Sequence, residues 1–130
     1  KVKLGLEKTL KMGDLSAFRD EGHSKDYCRA MWMMLQADRA DDYLVATGTG
    51  ATIEEMLRFV CSLAGLGFEE VYEQDERFMR PSDVPFLLGN PNKIKRELDW
   101  SPEFDWKTLL TEMFNNDLML LQREADCGGE

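Results

Sequence analysis

The stretch from Tyr43 to Ala64 constrains the fold more than any other part of the chain. A short apolar run, Tyr43–Ala46, leads into Gly48-Thr49-Gly50, and a helical period begins directly after it. Ile53, Met56, Leu57, Val60, Cys61 and Ala64 recur on one side of that helix. Thr52 and Glu55 have capping-box spacing, in which each side chain accepts from the other residue's backbone N–H. Gly65 and Gly67 mark the exit. So short an apolar run suits a buried strand and not a helix. A run, a glycine turn and a capped helix in succession therefore specify mixed α/β structure.

The flanking segments repeat that alternation. Lys1–Gly5 reads as the end of a helix with Gly5 at C′, Thr9–Met12 as a short strand, and Gly13-Asp14 as a turn. Ser24 is the expected N-cap of a helix whose apolar face is Tyr27, Ala30, Met31, Met34 and Leu35, and Gln36–Asp42 ends it. Phe68–Glu73 is expected to be a strand and Gln74–Pro81 a polar loop. Val84–Leu88 reads as another strand, kept to a sheet edge by Pro85. Asn90-Pro91 opens a helix that turns Ile94 and Leu98 inward. After a break at Ser101-Pro102, Asp105 caps a last helix bearing Trp106, Leu109, Leu110, Met113, Phe114, Leu120 and Leu121. The polar, glycine-rich residues 124–130 are expected to be a frayed, disordered tail. Trp32, Trp100 and Trp106 are expected to be packing anchors, and the Met31–Met34 stretch core.

Charge narrows the function classes. The chain has 130 residues and a formal charge of −9 at pH 7. Nucleic acid and anionic membranes would repel it, whereas a small anion remains compatible if arginines cluster locally. The three cysteines are odd in number and match no zinc or redox spacing. Cys28 and Cys61 lie in apolar helical patterns, which fits a reducing cytoplasm. No run is long and apolar enough to span a membrane, and no signal peptide is evident. A chain opening on Lys1 and not Met is expected to lack upstream residues.

Four places can carry chemistry, each with a plainer reading beside it. Gly48-Thr49-Gly50 resembles the start of a dinucleotide-binding turn, but Ile53 stands at the third glycine position, and a permissive turn explains the glycines equally. Arg19, just ahead of a helix start, can offer its planar fork to phosphate, or pair with Asp20 or another carboxylate. Arg80 is a second phosphate candidate, held extended by Pro81. Asp83 can accept from sugar hydroxyls, or pair with an arginine in a charged loop. His23, the only histidine, has no second ligand for a metal and is expected to make a structural hydrogen bond. Asp26, Asp38, Asp41, Asp42, Glu54 and Glu55 read as solvated carboxylates, and no two of them pair for acid–base work.

Together these segments resemble one family. Met12-Gly13-Asp14-Leu15, the run Arg19-Asp20-Glu21-Gly22-His23-Ser24-Lys25-Asp26-Tyr27, and Ala30-Met31-Trp32-Met33-Met34-Leu35-Gln36 are similar to the corresponding motifs of GDP-mannose 4,6-dehydratases. So are Tyr43–Gly48, Arg80-Pro81-Ser82-Asp83-Val84, Leu87-Leu88-Gly89-Asn90-Pro91 with Lys93 and Lys95, and Leu98-Asp99-Trp100-Ser101-Pro102. The resemblance runs from about Lys8 to about Gln122. It departs at Glu21, where the family has tryptophan, at Asp83, where it has glutamate, and in a short Val71–Arg77 stretch that the dehydratases lengthen.

The resemblance implies an extended short-chain dehydrogenase with a Rossmann-like NAD(P)-binding part. Residues 1–123 would be its C-terminal nucleotide-sugar-binding part, and the N-terminal part, with NADP and the catalytic groups, would be absent. No tyrosine here is followed four residues later by lysine, so no catalytic, cofactor-binding or metal residue is assigned. The implied ligand is GDP-mannose, converted to its 4-dehydro-6-deoxy form. Arg19 would face the diphosphate, Arg80 the diphosphate or nearby ribose, Asp83 the ribose hydroxyls, and the turn at Gly13 would lie near the nucleotide. Gly48 would close a strand of the cofactor-domain sheet. The whole enzyme would be a homo-oligomer, and this part alone inactive, with exposed apolar patches where the cofactor domain packs. A GDP-4-keto-6-deoxymannose reductase, a related epimerase, and a non-catalytic nucleotide- or partner-binding module are the alternatives.

Overall fold

The computed structural model describes residues 1–127, with side chains to residue 124. A 3-10 turn at Val2–Leu4 closes on Gly5 in the left-handed region (φ 71°). The elements that follow are β1 (Leu10–Met12), β2 (Phe18–Arg19), α1 (Ser24–Leu35), β3 (Ala51–Thr52), α2 (Ile53–Ala64), α3 (Phe68–Val71), β4 (Tyr72–Gln74), β5 (Phe86–Leu87), α4 (Asn92–Leu98) and α5 (Trp106–Cys127). The expected tail over residues 124–130 lies, for its last three residues, outside the described part.

Two small sheets carry the chain. β1 pairs in parallel with β4, Leu10 opposite Tyr72. β2 is the centre of the other sheet, antiparallel to β3 and parallel to β5, so that Arg19 stands opposite both Ala51 and Leu87. β5 occupies the edge, and Phe18 N donates to Pro85 O (2.8 Å). Proline's missing donor therefore costs that ladder nothing.

The core is built around Ala30, Ile94 and Trp100, none of which is exposed, with Tyr27, Met33, Met34, Tyr43, Val45 and Leu98 packed against them. Burying Trp100 and Ile94 stabilises the fold by roughly 1.5–3 kcal/mol each. The Trp100 indole N–H donates to Asp26 O (3.1 Å), so the large ring is buried without stranding its donor. On the other side α2 packs on α5, with Phe59 edge-on to Trp106 at 5.4 Å.

Local signals place α2 as expected. Thr52 and Glu55 form the capping box, and Gly65 ends the helix in the left-handed region. Lys3 Nζ donates to Ala64 O (2.6 Å), a cation at the negative end of that helix. Asp105 Oδ1 accepts from Thr108 N (2.8 Å) at the start of α5. At α4, Asn90 Oδ1 accepts from Asn92 N (3.0 Å), although the helix itself begins one residue later than the Asn-Pro pair suggests.

Several expectations need correction. The N-cap of α1 is His23, whose Nδ1 accepts from Lys25 N (3.0 Å). Its ring is fixed by Phe104 (centroids 4.4 Å apart) and by Glu112, so tertiary contacts set the helix start ahead of Ser24. Phe68–Val71 is a helical turn and only Tyr72 onward is strand, because Gly67 O accepts from Glu70 N and Val71 N. Tyr43–Ala46 has no ladder partner among the described residues. Tyr43 and Val45 pack on the Trp100 cluster, whereas Leu44 between them is exposed. In α1, Met31 (59% exposed), Trp32 (63%) and Leu35 (82%) lie outside the core, and Cys28 is exposed too. Helical spacing defines a face, but only a neighbouring element decides whether it is covered. Among the described residues, none covers Met31, Trp32 or Leu35 on that side of α1.

Asp26 is the largest surprise. Expected in solvent, it is 1% exposed. Its Oδ2 accepts from Glu103 N (3.0 Å) and Phe104 N (3.1 Å), and Oδ1 from the Arg29 guanidinium (3.0 Å). Burial pushes its pKa up, but these donors outweigh burial and hold it below the ordinary 3.8. Since the folded pKa lies below the unfolded one, Asp26 adds stability above about pH 4 that is lost as pH falls through the folded value. Asp26→Ala strands the buried donors and should cost about 2–4 kcal/mol in denaturant unfolding. Asp26→Asn should flatten the loss of stability below about pH 4 relative to the parent chain.

Candidate functional site

Arg19 ends the central strand, which points its side chain across the end of β5. Its Nη1 donates to Phe18 O (2.8 Å) and Val84 O (2.8 Å), and its Nη2 to Asp83 Oδ1 (2.9 Å). These three bonds span 64 residues of sequence to Asp83 and leave guanidinium N–H donors over for a ligand. The side chain is 16% exposed, so it is largely withdrawn from water. Arg80 differs. Its side chain is 74% exposed, and its Nη1 lies 3.8 Å from the same Asp83 oxygen that Arg19 contacts. One carboxylate oxygen thus sits between two guanidinium groups, one fixed and one loosely held.

Gly13 lines the same hollow as these two arginines. A Cβ at this position would collide with the Phe78 carbonyl, so the absence of a side chain is what lets residues 76–79 close over the β1 turn. Tyr72 donates its hydroxyl to Gly13 O (3.0 Å), and Asp75 N donates to Met12 O (2.9 Å). Asp75 then caps the 3-10 turn Glu76–Phe78, accepting from Arg77 N (3.0 Å) and from the Arg77 guanidinium. That guanidinium holds the Asp75 carboxyl down at about 2.

Gly13, Arg19, Arg80 and Asp83 line one cleft of about 680 Å³, with Lys11, Glu21, Phe78 and Pro85 among its other walls. Its lining holds three cations, Lys11, Arg19 and Arg80, and three carboxylates, Asp14, Glu21 and Asp83. Asp14 is turned onto its own loop, accepting from Ser16 N (2.9 Å) and Ser16 Oγ (2.7 Å). A second hollow of about 510 Å³, between the N-terminal turn, α2 and α5, is lined mainly by Leu57, Val60, Leu110 and Phe114, and no arginine contributes to it. Of these two hollows, the first is the one that brings arginines together, the side chains best suited to a phosphate.

The remaining candidates have structural roles. His23 is buried and, with Nδ1 accepting from Lys25 N, donates from Nε2 to Glu112 Oε2 (3.2 Å) while capping α1. Among the described residues no three His, Cys, Asp or Glu side chains gather as a metal would need. The Gly48-Thr49-Gly50 turn is occupied by the chain itself. Gly48 has φ +75°, and a Cβ at Gly50 would strike the Arg19 carbonyl. These glycines fit close backbone packing, not a dinucleotide cradle, so no cofactor contact is derived from them. Sequence reasoning missed Asp20, read only as a partner for Arg19. Its carboxylate instead accepts from Thr47, Gly48 and Gly89.

The family model for GDP-mannose 4,6 dehydratase matches residues 1–113. The chain belongs to the GDP-mannose 4,6-dehydratase family. GDP-mannose 4,6 dehydratase 2 of Arabidopsis thaliana is 41% identical over 95% of this chain and 33% of the relative. GDP-mannose 4,6-dehydratase of Vibrio cholerae is 35% identical over 93% of this chain and 40% of the relative. The chain therefore spans about a third to two-fifths of the length of these dehydratases. In fold it is similar to RMD from Pseudomonas aeruginosa, solved with NADPH (TM-score 0.74, 25% identity, 84% of this chain and 36% of that one). It is also similar to dTDP-glucose 4,6-dehydratase from Bacillus anthracis, solved with NAD (TM-score 0.71, 25% identity, 83% and 34%). These neighbours are extended short-chain dehydrogenases, the superfamily that the motif resemblance implies.

Gly13→Ala should displace residues 76–79 from the β1 turn. Backbone amides there should then exchange at least about tenfold faster than in the parent chain. Unchanged exchange would show that the Phe78 carbonyl is not what requires glycine at position 13.

Proposed function

We propose that this chain supplies the substrate-binding wall of a GDP-mannose 4,6-dehydratase and that its cleft receives the GDP moiety of GDP-mannose. One observation carries the reading: Arg19 and Arg80, remote in sequence, reach the same Asp83 oxygen inside one cleft. A diphosphate entering there would take the unused Arg19 donors from the buried side and draw Arg80 in from solvent, the bidentate chemistry that guanidinium groups offer phosphate. Displacing Arg80 from its 3.8 Å contact costs little, because an exposed pair at that distance contributes about 0–1 kcal/mol. Asp83, held by Arg19, is positioned as an acceptor for ribose hydroxyls. Gly13 shapes the wall beside the nucleotide.

In this reading residues 1–123 form the nucleotide-sugar-binding part. NADP, which supplies the family's redox chemistry, is bound mainly outside this chain. Support for a nicotinamide cofactor comes from the RMD and dTDP-glucose 4,6-dehydratase structures, solved with NADPH and NAD. The bare faces of α1 (Met31, Trp32, Leu35) and of β5 (Phe86, Leu87) are assigned to contacts with the rest of a cytoplasmic, homo-oligomeric enzyme. The contribution of this chain to rate is orientation: binding energy at the diphosphate fixes a sugar whose reacting carbons lie elsewhere. No described helix is long and apolar enough to cross a membrane.

Arg80→Ala is the cleaner test, since its exposed side chain makes no other described contact. In the enzyme carrying this chain it should raise KM for GDP-mannose about tenfold, with kcat changed much less, as expected when ground-state binding is lost. Arg19→Ala should raise KM at least as much. Unchanged KM in both variants would remove the cleft from substrate binding.

A further inference from the structure

Asp20 follows Arg19 directly and carries more hydrogen bonds than any other role assigned so far would require. Its Oδ1 accepts from Thr47 N (3.0 Å) and Thr47 Oγ1 (2.6 Å), and its Oδ2 from Gly48 N (3.0 Å) and Gly89 N (3.1 Å). The donors come from two separate segments. Thr47-Gly48 leads into β3, and Gly89 follows β5. Those are the two strands that flank Arg19, through Ala51 and Leu87.

This arrangement addresses a weakness of the sheet. Each of its three strands has two residues, and each pairing has only two register positions. Ladders that short do not define their own register, and a slip of one residue turns every side chain to the opposite face. For Arg19 such a slip would take the guanidinium out of the cleft. Asp20 pins both flanking segments to the end of β2 through a single carboxylate. Close packing reinforces the lock, since a Cβ at Gly89 would strike Ala46 and one at Gly50 the Arg19 carbonyl. The same clamp fixes β5, and with it Val84 and Asp83, the groups that receive Arg19.

We propose that Asp20 is a positioning residue for substrate: it sets the register that presents Arg19 and Asp83 to the nucleotide diphosphate. The assignment rests on the reading of the cleft as the diphosphate site. Asp20 itself touches no ligand and acts through its neighbour.

The test is a double-mutant cycle in the enzyme that carries this chain. Asp20→Asn places an amide donor against backbone N–H groups and should raise KM for GDP-mannose about tenfold, with kcat changed less. If Asp20 acts through Arg19, adding Asp20→Asn to Arg19→Ala raises KM no more than about twofold further, because the two share one interaction. Fully additive effects, or an unchanged KM in Asp20→Asn, overturn the proposal while the site reading stands on its own Arg80→Ala result. If Arg19→Ala and Arg80→Ala both leave KM unchanged, the site reading fails and the positioning role falls with it. Should Asp20→Asn not fold, Thr47→Val removes one donor and leaves the carboxylate. It should raise KM about threefold, and an unchanged KM there also overturns the proposal.

Discussion

Arg19 is held from three sides by groups that its neighbours in sequence do not supply alone. Phe18 O is local, but Val84 O and Asp83 Oδ1 arrive from a segment 64 or 65 residues away. That convergence requires β5 to lie parallel beside β2, which requires Pro85 to accept from Phe18 at the edge, which in turn leaves Asp83 facing the cleft. An exposed ion pair would add little here. The withdrawn guanidinium, bonded also to two carbonyls, is a different case, because removing it strands acceptors in a partly desolvated place. The group that ties the two segments together is also the one with donors to spare for phosphate.

The charge balance of the cleft follows from the same geometry. The chain is strongly acidic, and the cleft is not an exception that concentrates positive charge, since its lining holds as many carboxylates as cations. Binding an anion in such a place depends on directed donors, not on net field. Asp14 is satisfied by Ser16, and Asp83 by Arg19, which leaves Glu21 as the carboxylate whose charge opposes a phosphate most directly.

Much of the local structure was legible in the sequence because it is decided locally. The Thr52–Glu55 capping box, the Gly65 exit, the Asp105 cap and the inward Ile94 all depend on residues within a turn or two of one another. Tertiary decisions were not legible. His23 caps α1 because Phe104 and Glu112 fix its ring, and Asp26 is buried because the 103–104 backbone brings its donors. Met31 and Leu35 fell on an apolar face that no described element covers. Arg19, Arg80 and Asp83 were singled out through motif resemblance together with phosphate chemistry, and the fold brings them to one cleft. Asp20 was overlooked because a carboxylate beside an arginine reads as its partner, and only the fold shows it bonded to three other residues.

The central claim is that two arginines grip one pyrophosphate. A structure of the enzyme that carries this chain, solved with GDP-mannose bound, tests it most directly. The account predicts diphosphate oxygens within hydrogen-bond distance, about 2.7–3.2 Å, of both the Arg19 and the Arg80 guanidinium groups, with Asp83 turned to the ribose. A bound nucleotide whose phosphates contact neither arginine would contradict it.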